Sequence, residues 1–133
     1  MAIADSNAII KQYLDTCASL TALVSTRIVA PRLPEDMELP AVSFFTRGGG
    51  GTPYVPPIVE PSVQFDCWAD NPIEARQVYR ALYDNLQGIQ NVTVGSYSIL
   101  SAIEEVAGYD LVDVDIPGYF RCVTFFSIMI RVE

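Results

Sequence analysis

The sequence predicts a single α+β domain, because two amphipathic helices stand among several stretches with the alternation of β-strands. The clearest helix follows Asn71, where apolar residues recur at steps of three and four. The clearest strand is the last one, in which nearly every second residue from 120 to 132 is apolar. The chain has 133 residues, the size of one domain, and half of them are apolar, which is enough for a substantial core.

The segment from Pro61 to Gly88 is predicted to form a strand, a helix cap and a helix. Asn71 suits the N-cap, Pro72 suits the first helical position, and Glu74 can reach back to the cap backbone. Gly88 supplies the left-handed residue that ends the helix. The predicted buried stripe of this helix consists of Ala75, Val78, Tyr79, Leu82 and Leu86.

An opening helix is predicted from Asp5 or Ser6 to Val24, followed by short strands over 27–30 and 41–45. Between the two strands, residues 31–40 contain three prolines and are predicted to form a turn-rich connector. The apolar residues predicted to form the buried stripe of the opening helix are Ile10, Tyr13, Leu14, Cys17, Leu20, Leu23 and Val24.

A flexible Gly/Pro-rich loop is predicted over residues 46–60. Four glycines, Gly48–Gly51, are followed by prolines, and neither residue type favours regular structure. The run does not match a phosphate-binding loop, because Thr52 and Pro53 stand where Lys and Ser or Thr are required. Two interpretations remain open: a mobile surface loop, or a loop that becomes ordered on a partner, with Arg47 and Tyr54 as candidate contacts.

The second half of the chain is predicted to contain a hairpin around Gly95 and Ser96, with its second strand continuing toward Glu105. An acidic segment with Asp110, Asp113 and Asp115 follows. Its spacing lacks both the glycine and the distal glutamate of an EF-hand, so we expect a solvated loop rather than a metal site.

The last strand offers the first candidate interaction surface. Its even-numbered residues are predicted to pack on the helices, whereas its odd-numbered residues mix apolar, polar and basic side chains. Arginines beside Phe and Met are typical of protein–protein interfaces, although an ordinary second sheet face covered by the proline-rich loops would have the same composition. The candidate contacts on this face are Arg121, Phe125, Met129 and Arg131.

Arg76 and Arg80, one turn apart on the second helix, form another candidate surface. Like charges at this spacing repel, and they indicate an acidic patch on a partner, for which Asp110, Asp113 and Asp115 are candidates. The alternative is a solvated helix face.

Composition excludes several classes of function. A net charge of −8 argues against a nucleic-acid-binding surface, which needs clustered cations. The chain has no histidine, which rules out His-based triads and metal sites, and no catalytic constellation, metal ligand set or cofactor site is predicted. Its three cysteines are predicted to be buried thiols in a reducing compartment, and we expect a soluble protein made in the cytosol without a membrane span.

The order of motifs resembles that of the tail-completion proteins of long-tailed bacteriophages, also called tail terminators or tail-to-head joining proteins. The resemblance runs over nearly the whole chain, although the Gly48–Gly51 run and Pro56-Pro57 do not belong to it. The matching segments are Leu20-Thr-Ala-Leu-Val-Ser-Thr-Arg-Ile-Val29, Leu39-Pro-Ala-Val42, Val63-Gln-Phe-Asp-Cys-Trp68, Glu74-Ala-Arg76 with Leu82 and Leu86, Tyr119-Phe-Arg121 and Phe126-Ser-Ile128.

The resemblance implies an antiparallel-dominated sheet of about four to five strands with two helices against it. It also implies a non-enzymatic virion protein, assembled in the host cytoplasm. Copies of the chain would form a ring, usually of six, that caps the head-proximal end of the tail tube, stops its polymerisation and docks the tail to the head–neck connector. DNA would pass through the lumen without specific binding. The alternatives are another neck or head-completion component, or a small cytosolic ligand-binding or enzymatic domain.

Overall fold

The computed structural model of the chain describes residues 5–30, 33, 38–51, 58–112 and 119–132. Within them lie three helices and six strands. In chain order these are α1 (Ser6–Leu14), α2 (Ala18–Val24), β1 (Ile28–Val29), β2 (Ala41–Gly51), β3 (Ile58–Ala69), α3 (Pro72–Leu86), β4 (Gln90–Val94), β5 (Tyr97–Val112) and β6 (Phe120–Val132).

The six described strands form one mixed sheet in the order β1-β2-β3-β6-β5-β4. β1 runs parallel to β2, and all the other neighbours are antiparallel. The α+β single-domain prediction is confirmed, but the expected sheet of four to five strands with two helices is wrong. The sheet is larger because two short segments, β1 and β4, pair with its outer strands, and the third helix comes from a break in the predicted first one.

The predicted strand–cap–helix unit is confirmed. The Asn71 side chain accepts a hydrogen bond of 2.8 Å from the Glu74 backbone N–H, and Pro72 is the first helical residue. Gly88 has a φ of 79°, as expected of the left-handed residue that follows a helix. The buried residues of α3 are those of the predicted stripe.

The predicted first helix is two helices. α1 ends at Leu14, and Cys17 is the N-cap of α2. The break coincides with Thr16, whose hydroxyl donates to the Tyr13 carbonyl at 2.6 Å and whose backbone N–H takes the same acceptor, so the continuous helical ladder stops there. Most of the predicted stripe is nevertheless buried, because α2 resumes on the same side of the sheet.

The glycine run lies in a strand, not in a loop. β2 continues to Gly51, with Gly49, Gly50 and Gly51 opposite Pro61, Glu60 and Val59 of β3 and an irregularity between Thr46 and Gly49. Pairing with β3 supplies the backbone hydrogen bonds, and this outweighs the low strand propensity of glycine. The prediction of a loop over 46–60 is therefore wrong for residues 46–51 and 58–60, which lie in β2 and β3. Residues 52–57, including Tyr54, lie outside the described part.

The acidic segment also begins in a strand. The hairpin at Gly95 and Ser96 is confirmed, but its second strand, β5, runs on to Val112. Asp110 therefore stands opposite Cys122 of β6 and not in a solvated loop, because the ladder with β6 continues past the acidic residues. Asp113 and Asp115 lie outside the described residues.

The core lies between the three helices and one face of the sheet. Phe44, Phe65 and Phe126 from three adjacent strands form its centre, with ring centroids 5.5 and 5.8 Å apart. The residues of β6 that join the core are even-numbered, so the predicted helix-facing side of this strand is confirmed. The odd-numbered side faces away from the helices.

The three thiols are buried, as predicted. Burial raises the pKa of Cys17, raises that of Cys67 further, and brings that of Cys122 to about 11. Because the thiolate is the reactive species, we expect all three to react slowly with an aromatic disulfide reagent in the native protein and at once after denaturation. Absorbance of the released thiolate measures both rates. Rapid native labelling of Cys67 or Cys122 would contradict their burial.

Candidate protein-interaction surface

The face of the sheet opposite the helices, called here the open face, carries both apolar and charged side chains. Side chains alternate between the two faces of a strand, so the open face takes the odd-numbered residues of β6 and their cross-strand partners. Ala41, Trp68 and Val123 are buried but do not belong to the core beneath the helices. The open face therefore has a small apolar centre of its own.

An aromatic and ionic cluster occupies one end of the open face. Trp68 donates from Nε1 to the Ser43 hydroxyl at 2.8 Å and packs edge-on against Tyr119, with centroids 6.2 Å apart. The Arg121 guanidinium lies 5.1 Å from the Trp68 ring centroid, and its Nη1 is 3.7 Å from Oδ2 of Asp66. These contacts hold the arginine as both a cation–π and an ion-pair partner.

The ionic pair in this cluster is incompletely satisfied. Burial raises the pKa of Asp66, and the hydrogen bond from Gln64 and the charge of Arg121 offset the rise only in part. The Arg121 Nε is buried and has no hydrogen-bond partner within the described part of the chain. A carboxylate and a guanidinium are thus held away from water at a distance longer than a good ion pair.

A second polar group lies further along the open face. The Arg47 guanidinium stacks 4.0 Å from the Phe125 ring centroid and donates from Nε to the Ser62 hydroxyl at 3.1 Å. The Ser62 hydroxyl donates in turn to Glu105 at 2.7 Å. Two predicted contacts, Arg47 and Phe125, therefore touch each other although they are distant in sequence.

Strand β5 exposes a row of large apolar side chains, called here the β5 strip. The strip consists of Ile103 (56% exposed), Val106 (40%), Tyr109 (42%) and Leu111 (37%). Two of the acidic residues between them face the helices instead, with Glu104 hydrogen-bonded by Tyr79 at 2.7 Å and Asp110 3.5 Å from Arg76. The third, Glu105, bonds to Ser62 on the open face. The strand thus reverses the usual arrangement, in which apolar residues face the core and acids face water.

A polar cluster beneath α3 explains this reversal. The Thr124 hydroxyl donates to Oε2 of Glu104 at 2.6 Å. The backbone N–H of Glu104 donates to the side-chain oxygen of Gln87 at 2.7 Å. The Tyr79 hydroxyl donates to Glu104 and accepts from the Gly108 N–H at 3.1 Å, while burial raises the pKa of Tyr79 to about 12. Only glycine fits at position 108, because an added Cβ would lie 2.5 Å from the Tyr79 ring.

The predicted arginine pair on α3 behaves differently at its two positions. Both side chains are exposed, and Arg76 also pairs with Asp110 of the same chain and lies 5.4 Å from the Tyr79 ring centroid. Asp110, proposed from sequence as a mate on another molecule, is therefore an intramolecular partner. The reason is the extension of β5, which carries Asp110 alongside α3.

The structure brings some of the sequence-predicted residues together and separates others. Arg47, Arg121, Phe125, Met129 and Arg131 share the open face, with Phe125 and Met129 half-buried and Arg131 exposed. Arg76 and Arg80 lie on the helix side. Sequence reasoning missed Trp68, Asp66 and the whole β5 strip. The spacing of the strip residues departs from the period of two because the register with β6 shifts between Glu104 and Tyr109, so periodicity gave no signal for it.

The described residues include no group of three or more His, Cys, Asp or Glu side chains placed to hold a metal ion. None of the described helices is long and apolar enough to cross a membrane. The open face carries aromatic rings, arginines and exposed aliphatic side chains, a composition typical of protein–protein interfaces.

Comparisons with known proteins bear on the fold. No protein-family model matches the sequence, and a search of curated proteins gives no match. Five chains of solved structures match, among them a chain of the virion of a native gene transfer agent (GTA) particle, with a TM-score of 0.61 and 16% identity. The match covers 93% of this chain and 92% of that one. The chain has the fold of a GTA virion chain.

Proposed function

We propose that the chain is a phage-type virion protein whose copies form a ring at the head-proximal end of a tail tube. The ring stops tube polymerisation and docks the tail to the head–neck connector. The observation that carries the proposal is the fold match to a GTA virion chain, which spans almost the full length of both chains. The order of sequence motifs, which resembles tail-completion proteins, supports the position within the virion.

The surface of the described chain supports an assembly role. A ring needs two different contact surfaces on each copy, because a head-to-tail interface is heterologous. The open face and the β5 strip supply aromatic, aliphatic and arginine side chains, the composition of interface centres. The net charge of −8 per copy suits a channel through which DNA passes without binding.

The two alternatives differ in what they require. Another neck or head-completion component would bind different neighbours in the virion, which labelling of assembled particles would reveal. A ligand-binding or enzymatic domain would need a pocket with convergent polar groups; the densest polar cluster of the described residues, around Glu104, is filled by Tyr79 and Thr124 of the chain itself. The structural role is therefore the better supported.

The test is the mass of the purified chain in solution, measured by light scattering, together with electron imaging for rings. Acidic copies repel one another, so we expect the ring fraction to rise when salt increases from about 20 to about 300 mM, since the Debye length falls well below the size of an interface. A chain that stays monomeric at every salt and protein concentration would overturn the proposal.

A further inference from the structure

The sheet has two outer edges that are unpaired over similar lengths. On one side, β4 pairs with β5 only from Tyr97 to Ser101, and within the described residues no strand lies outside 105–112. On the other side, β1 pairs with β2 only at Val42 and Ser43, and no described strand lies outside 44–51. Gly108 is an exception, because its N–H donates to Tyr79 and its carbonyl accepts from Arg76. Elsewhere each edge presents backbone N–H and C=O groups that a further strand can pair with.

The directions of the strands make the two edges compatible with each other. From β2 through β3 and β6 to β5, each strand is antiparallel to the next. β5 therefore runs opposite to β2. In the registers of the sheet, the β1-paired Val42 stands level with Asp110 of β5. If a neighbouring copy keeps its sheet in the same direction and is shifted along the strands so that its β1 clears this end of β5, its β2 lies beside β5 as the next antiparallel strand. The alternation then continues across the boundary.

The side chains of the two edges are also complementary. The β2 segment 44–51 contains Arg47 and no acid, whereas the β5 segment 105–112 contains Glu105 and Asp110 and no base. The β5 strip stands beside this edge and would be covered by the neighbour. From Tyr109 to Val112 the register with β6 is regular, so this part of the edge is free of the irregularities that disturb pairing between Glu104 and Tyr109.

From these observations we infer that the outer edge of β5 in one copy pairs with the outer edge of β2 in the next copy. The occupant of the β5 strip is thus a second copy of this chain, and the sheets of the copies join into a continuous band. The inference rests on the proposed ring, and it deepens that proposal by naming the two surfaces that meet. In this arrangement the β5 edge, and not the predicted Arg76/Arg80 surface of α3, forms one side of the contact.

Cross-linking at engineered cysteines tests this arrangement in the full-length chain. Arg47→Cys and Tyr109→Cys place exposed thiols on the two edges, and a flexible bis-maleimide tolerates an unknown register. The three native thiols are buried and serve as an unreactive background. The double variant Arg47→Cys/Asp84→Cys, with its second thiol on the exposed side of α3, is the matched control.

The expected result is a ladder of covalent oligomers from the Arg47→Cys/Tyr109→Cys double variant. On a denaturing gel, each single variant should give only the monomer band, and an equimolar mixture of the two singles should give a covalent dimer as the largest product. Dimers from Tyr109→Cys alone would show a symmetric contact and overturn the inference, as would a ladder from the Asp84 control in place of the Tyr109 variant. Arg47 and Tyr109 both lie beside Phe125 of their own chain, so the double variant can also form a link within one copy, and the mixture of single variants is the deciding sample. Rings whose mixed single variants give no covalent dimer would overturn the edge pairing alone, whereas absence of assembly in the unmodified chain would overturn the ring as well.

Discussion

Replacing Leu82 with alanine should lower the free energy of unfolding by about 2–4 kcal/mol, the cost of a large-to-small change in a rigid core. Leu82 is fully buried in the middle of α3, facing the sheet. The lost side chain leaves a space that its neighbours fill only in part, because helices and sheet fix the spacing of the backbone. Urea denaturation followed by circular dichroism gives the difference directly.

The same helix offers a matched control. Ile73 is 73% exposed near the start of α3, and its replacement by alanine removes a similar number of atoms without opening a cavity. We expect a change within about 0.5 kcal/mol for Ile73→Ala. Equal stabilities of Leu82→Ala and the parent chain would mean that α3 packs through another face, contrary to the observed burial.

Local signals in the sequence were sufficient to predict α3 and its surroundings. Asn71 and Pro72 fix the start of the helix, the C-cap Gln87 bonds back to Tyr83 at its end, and Gly88 follows with a positive φ. The stripe that includes Leu82 follows from helical periodicity. Each of these features is decided within one or two turns of chain, which is why sequence alone contained it.

Elements decided by distant partners were predicted less well. Nothing near Gly48–Gly51 favours a strand; the strand exists because β3 lies alongside and provides its hydrogen bonds. Asp110 was likewise expected in a loop, because its own neighbours in sequence do not favour a strand. Its strand is held by pairing with β6 and by the ion pair between Asp110 and Arg76. Tertiary context supplied the pairing in both cases.

The candidate surface shows the same division. The odd-numbered face of β6 was predictable from alternation, but the outward side of β5 was not. A strand that contains both apolar and acidic side chains is expected to bury the apolar ones. Here Tyr79 and Thr124 provide hydrogen bonds for Glu104, so the acid is the side chain that faces the helices. The exposed strip is a consequence of that polar cluster.

Arg121→Glu should destabilise the fold by about 3–5 kcal/mol at neutral pH, the usual cost of breaking a buried ion pair. The sequence predicts Arg121 and Arg131 alike as candidate contacts on one face of the last strand. In the structure, the Arg121 side chain is 23% exposed and its partner Asp66 only 7% exposed. Among the ion pairs of the described residues, Asp66 pairs with Arg121 alone, at 3.7 Å. The variant replaces this cation with a second carboxylate. It also removes the cation from the Trp68 ring.

The pH dependence distinguishes this electrostatic cause from a simple loss of packing. Burial already raises the pKa of Asp66 in the folded state, and a second carboxylate raises it further. An acid whose folded pKa lies above its unfolded pKa favours folding below the unfolded value, and this contribution is lost as pH rises through the folded value. The loss in free energy of unfolding of Arg121→Glu relative to the parent should therefore be small near pH 3.5 and grow toward pH 7.

Arg131→Glu makes the same charge change at an exposed position of the same strand, and we expect a much smaller loss that varies little with pH. Urea titrations of both variants at several pH values provide the measurement, and a deficit of Arg121→Glu that is constant from pH 3.5 to 7 would contradict the coupling to Asp66.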